Sequence, residues 1–135
     1  MADDLPINRE LVHDLLCRLT DPKESVREGA IEALAVSAED EDWRPQELIR
    51  QGGIDIIAGL LQEKNIHIVG SAIDILIAIA SAGDEEALIE GEVIARLDTI
   101  QDHKDPSIQK KVREALWLLE PEVEETVTSK PQDEY

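Results

Sequence analysis

Residues 48–82 read LIRQGGIDIIAGLLQEKNIHIVGSAIDILIAIASA. This stretch predicts a short amphipathic helix ending at Gly52-Gly53, a second helix from Ile54 to about Glu63, and, after a turn at Lys64-Asn65, a third from Ile66 to about Ser81. The third helix is apolar on nearly every side, at Ile66, Ile68, Val69, Ala72, Ile73, Ile75, Leu76, Ile77 and Ile79. Both of its flanks must therefore be covered by other elements.

The flanking sequence supplies them by repeating the same pattern. A shift of forty-two positions carries Val12, Leu15, Leu19, Val26, Ala30, Ile31 and Leu34 onto Ile54, Ile57, Leu61, Ile68, Ala72, Ile73 and Leu76. In the other direction, Leu48 and Ile49 map to Leu88 and Ile89, Ile54 to Val93, Ala58 to Leu97, Leu61 to Ile100, Ile68 to Ile108, Ala72 to Val112 and Leu76 to Leu116. The register slips where Gly52-Gly53 becomes the single Gly91. A helical period of this size predicts a stacked solenoid. Stacking is needed because apolar burial contributes roughly 25 cal/mol per Å² while ordering costs about 1–2 kcal/mol per residue, so one such unit alone comes out near zero. The middle unit, with two neighbours, is the greasiest.

Composition agrees with an all-α fold. Apolar residues make up 42 % of the 135, but aromatics only 2 %, and there is no Phe. That mixture suits helices filled with Ile, Leu and Ala and disfavours a sandwich or barrel. With 31 acids against 13 bases the formal charge is −18. Such a field repels nucleic acid and anionic membrane surfaces and steers in basic proteins or peptides; it also aids solubility whatever the partner.

The expected organisation is an N-terminal cap over residues 1–10, a repeat domain over 11–120 with units at about 11–44, 45–83 and 84–120, and a disordered acidic tail over 121–135, PEVEETVTSKPQDEY. Pro6 suits the first turn of a helix running to about Leu19. Asp21-Pro22 makes a turn, and Ser25 is the expected cap of the next helix, with Glu28 at capping-box spacing. Trp43 packs over a helix end on one reading and faces a partner on the other. Asp105-Pro106 places an N-cap before a first-turn proline, and Pro121 ends that helix. Cys17, the single cysteine, is read as a small buried residue and excludes an intrachain disulfide. MADDLPINRE has neither a basic segment nor an apolar signal core, and 66–82 contains His67 and Asp74, so a cytoplasmic or nuclear setting without a membrane span is expected.

The run LIxxGGIxxIxxLL, followed by a turn and AIxILxxIA, resembles the armadillo repeat of the armadillo/HEAT superfamily. The resemblance covers Leu11 to about Glu120. It implies a right-handed α-solenoid of about three repeats and a protein-binding role, with the last helix of each unit lining a concave face. Armadillo proteins that carry basic import signals have Trp on that face and Asn four residues on. Here the matching positions hold Glu32, Asp74 and Glu114, then Val36, Ala78 and Leu118, so the likeness does not extend to import receptors.

What those positions offer is a column of acids beside Ala35, Ile77 and Trp117. Like charges on helices about 8–10 Å apart repel in water by only roughly 0.4 kcal/mol, so the column can stand unbound, and Asp74 is equally readable as the solvated edge of its helix. The expected partner-binding residues are Glu32, Asp74, Glu114, Ile77 and Trp117, and the expected ligand is a protein or peptide segment carrying basic and apolar side chains. No phosphate-binding loop, nucleophile elbow or metal-ligand motif appears, and His13, His67 and His103 are dispersed. The sequence thus predicts a non-enzymatic adaptor or regulatory subunit without a cofactor or metal. The alternatives are an armadillo-type nucleotide exchange factor for a heat-shock chaperone, recognition of the acidic tail ending Asp133-Glu134-Tyr135 by a partner domain, and self-association through a repeat end.

Overall fold

The computed structural model describes residues 4–40, 43–90 and 92–119. Among them are eight helices and no strand: α1 (Asp4–Leu19), α2 (Glu24–Ser37), α3 (Gln46–Arg50), α4 (Gly53–Leu60), α5 (Ile66–Ser81), α6 (Glu85–Glu90), α7 (Val93–Asp98) and α8 (Pro106–Leu119). The order short, short, long occurs in α3–α4–α5 and again in α6–α7–α8, behind the pair α1–α2. The expected acidic tail and the break at Gly91 lie outside the described residues. Helix α1 runs unbroken through the division drawn at residue 10. None of the described helices is long and apolar enough to cross a membrane.

Helix α5 occupies the centre, packed by α2 on one side, α8 on the other, and α4 and α6 behind. This is why Ile68, Val69, Ala72, Ile73, Ile75 and Ile79 are all fully buried. Its start is fixed by Asn65, whose Oδ1 accepts the N–H groups of His67 at 2.8 Å and Ile68 at 3.4 Å, satisfying donors that the first turn leaves without partners. The Asn65 Nδ2 donates outward to α2, to Glu24 Oε2 at 2.6 Å and Glu28 Oε1 at 3.0 Å. A second tie joins α2 to the end of the α4 segment, where Arg27 pairs with both oxygens of Glu63 at 2.9 and 3.1 Å.

The kink between α3 and α4 needs both of its glycines. Gly52 lies in the left-handed region, φ 77°, where a Cβ is costly. A Cβ on Gly53 would fall 2.8 Å from the carbonyl oxygen of Leu48. Before α7 the left-handed place is taken by Glu92, φ 62°, a conformation that costs a non-glycine residue roughly 1–2 kcal/mol.

Two local expectations are corrected. Helix α2 starts at Glu24 with Lys23, not Ser25, in the N-cap position and without a side-chain cap. The cause is the turn before it: Asp21 Oδ1 accepts the Lys23 N–H at 2.8 Å, so the chain turns helical earlier, and Glu28 reaches Asn65 instead of closing a capping box. Cys17 is exposed, not buried. The buried stripe of α1 is Leu15, Leu16 and Leu19, and at 100° per residue Cys17 points about 150° away from its centre. Its Sγ lies 3.6 Å from His13 Nε2, one turn back. Trp43 is half-buried against the core, in keeping with packing over a helix end.

Helix α8 begins as expected. Asp105 Oδ1 accepts from the backbone N–H of Ser107 at 2.8 Å, the Ser107 hydroxyl at 2.6 Å and the Ile108 N–H at 3.3 Å. The Ser107 side-chain and backbone bonds favour the ionised carboxylate and hold Asp105 below the ordinary carboxylate range; desolvation opposes them by less than either, and the Ile108 N–H and the nearby His103 add smaller favourable effects.

Candidate binding face

Of the four long helices, α2, α5 and α8 lie side by side, with α5 between the other two. Their buried positions fall at Ala30, Ile31 and Leu34 on α2, at Ala72, Ile73 and Leu76 on α5, and at Ile108, Val112 and Ala115 on α8. The helical period then leaves Glu32, Asp74 and Glu114 on the opposite, solvent side, and all three are exposed. Asp74 is not entombed: its side chain is 46 % accessible.

The acids differ in what meets them. Asp74 Oδ1 accepts from Lys111 Nζ of α8 at 2.7 Å, so the middle carboxylate of the column already has a cation. Lys111 passes over Gly70 on the way, its Cε 3.7 Å from where a Cβ on that residue would stand, an ordinary van der Waals distance. Sequence reasoning missed Lys111. The signal was available: by the forty-residue shift Lys111 falls opposite Ser71, one turn before Asp74 on the neighbouring helix, within reach of a four-carbon stem. Among the described residues Glu32 and Glu114 are met by no lysine or arginine.

Beside the acids the face is apolar. Trp117 is 75 % exposed and Val36 67 %, and Ile77 and Ala78 are half-buried between them on α5. Val36 on α2 and Trp117 on α8 thus leave apolar surface open on either side of α5, beside the row of carboxylates. Of the five residues predicted from the sequence, four lie open to solvent and Ile77 lies partly so.

The structure also gathers side chains that the sequence leaves apart. Glu28 and Glu32, one turn apart on α2, meet His67 from the first turn of α5, with one ligand atom from each lying within 4.8 Å of the others. The two glutamates were readable as one helix face from their spacing of four. His67 was not, because thirty-five positions separate it from Glu32.

No protein-family model matches the chain, and no curated protein matches it in sequence. Solved structures do match. A designed armadillo repeat protein in complex with the peptide (KR)4 is 24 % identical with a TM-score of 0.73, over 80 % of this chain and 46 % of that one. Computationally designed armadillo repeat proteins for modular peptide recognition are 25 % identical with a TM-score of 0.71, over 77 % and 44 %. A structure from work on a phosphorylation switch controlling the interaction between cadherin and β-catenin is 21 % identical with a TM-score of 0.73, over 82 % and 21 %. The chain thus spans less than half the length of each of these structures. It has an armadillo-like repeat fold.

Proposed function

We propose, on the premise of that fold, that this chain is a non-enzymatic interaction subunit that binds an extended basic segment with interleaved apolar side chains across α2, α5 and α8. The observation that carries the reading is the row of exposed carboxylates Glu32, Asp74 and Glu114 running beside Ile77 and the open indole of Trp117. A formal charge of −18 adds long-range attraction for a cationic partner in a cytoplasmic or nuclear setting. The designed relative that carries (KR)4 supports the same class of ligand.

Each part of the face has a distinct task. The carboxylates select positive side chains and speed encounter. Trp117 offers a large apolar surface of the kind that dominates binding energy when a partner covers it. Neighbouring helices about 8–10 Å apart and a strand rise of about 3.3 Å per residue match a basic side chain at every second or third position of the ligand.

The test is fluorescence anisotropy of two labelled peptides against the intact chain: (Lys-Arg)4, which probes the basic component alone, and (Lys-Leu)4, which adds the interleaved apolar side chains and is expected to bind more tightly. Binding is expected to weaken at least about tenfold in the Glu32→Lys/Glu114→Lys double variant and to fall steeply with salt. Unchanged affinity in that variant contradicts the proposal.

A further inference from the structure

We infer that Glu28, Glu32 and His67 form a binding site for a divalent transition-metal ion of the zinc class. The set is more than a patch of carboxylates, because an imidazole from a second helix joins it. Two oxygen donors come from α2 and one nitrogen donor from α5, with their ligand atoms within 4.8 Å of one another. Donors on a tetrahedral ion with bonds of about 2.0–2.1 Å sit about 3.4 Å apart. Side-chain rotation of the two exposed donors, Glu32 and His67, is what would close that difference around the half-buried Glu28.

The surroundings hold the donors in place and leave their charge unmatched. Glu28 is half-buried, and one of its oxygens, Oε1, accepts from Asn65 Nδ2 at 3.0 Å, which leaves Oε2 for an ion. A hydrogen bond to the non-ligating side of a donor group is the support that metal sites use to orient their ligands. The backbone that carries His67 is anchored, its N–H donating to Asn65 Oδ1 at 2.8 Å. The nearest guanidinium along α2, Arg27, is committed to Glu63 and to the carbonyls of Asp21 and Pro22. Among the described residues no lysine or arginine pairs with Glu28 or Glu32.

Ligand chemistry selects the ion. An imidazole with carboxylates suits zinc and its first-row neighbours and disfavours the hard cations calcium and magnesium, which take oxygen only. Three protein donors leave at least one coordination position open.

The test uses the intact chain and the metal alone, so its outcome does not depend on any peptide. Zn²⁺ is titrated calorimetrically, and Co²⁺ is titrated optically as a zinc substitute. A single site is expected, with His67→Ala and Glu32→Gln each weakening it by at least about 100-fold, no less than the roughly 10–100-fold that outer-shell partners are worth. Both residues are exposed, so these changes remove a donor without opening the core, and unchanged helical circular dichroism verifies this. The His13→Ala/Cys17→Ser variant, which removes the other donor pair, is expected to bind as before, and the cobalt spectrum to lack a thiolate charge-transfer band. Binding that survives both His67→Ala and Glu32→Gln, binding lost with His13 and Cys17, or no binding above that of His67→Ala overturns the assignment.

Discussion

Asn65 is the residue on which the joint between α2 and α5 turns, and its replacement separates two effects. One side of the amide caps α5 through the His67 and Ile68 N–H groups; losing such a cap costs about 1 kcal/mol. The other side donates to Glu24 and Glu28. Bonds to ionised acceptors are strong, but these are partly open to solvent, so about 0.5 kcal/mol each is a fitting value. Asn65→Ala should therefore destabilise by about 2 kcal/mol, which moves a urea midpoint by about 1 M at a slope near 2 kcal/mol/M. Asn65→Ser keeps the capping oxygen but cannot reach α2, and should recover about half of the loss. Equal midpoints for the alanine and serine variants would refute the assignment of a cap. A wild-type midpoint in Asn65→Ala would refute both contributions.

Three further outcomes follow from the geometry. Lys111→Ala frees Asp74 from its internal cation, and since an exposed pair is worth about 0–1 kcal/mol, affinity for the (Lys-Arg)4 peptide should rise by up to about fivefold in the same anisotropy assay. Gly53→Ala should destabilise by about 1–3 kcal/mol because its Cβ meets the Leu48 carbonyl, whereas Gly59→Ala, with nothing within 4 Å, should stabilise by about 0.5 kcal/mol; thermal denaturation of the two variants checks the opposite signs. The lowered Asp105 pKa contributes stability that is present above the ordinary value of 3.8 and is lost as pH falls below it towards the folded-state value, so the urea midpoints of wild type and Asp105→Ala should converge on acidification through that range.

Much of the architecture is written in local patterns. The apolar run from Ile66 to Ile79 demands neighbours on both sides, and the matches at forty-two and about forty positions supply them as α2 and α8. Asn65 and Asp105-Pro106 mark helix starts because short polar side chains reach their own backbone. The misreadings have physical causes. Cys17 among leucines looked interior, yet a step of 100° per residue turns it to solvent. Ser25 matched a capping box, but the Asp21 turn had already started the helix. Lys111 on Asp74, and His67 beside Glu28 and Glu32, depend on how far one helix leans over the next, which no local pattern records. The exposure of Glu32, Asp74, Glu114 and Trp117 could be read from the sequence because burial of their helix-mates leaves them only one direction to point.

The central claim is that the shared face of α2, α5 and α8 receives a cationic, partly apolar segment. Backbone amide NMR of the isotope-labelled intact chain, titrated with the (Lys-Arg)4 peptide, tests it most directly. The account predicts shift changes that cluster at Glu32, Asp74, Ile77, Glu114 and Trp117 and leave α1, α3 and α6 unmoved. Changes centred on those three helices or on residues 121–135, or no saturable change at all, would contradict it.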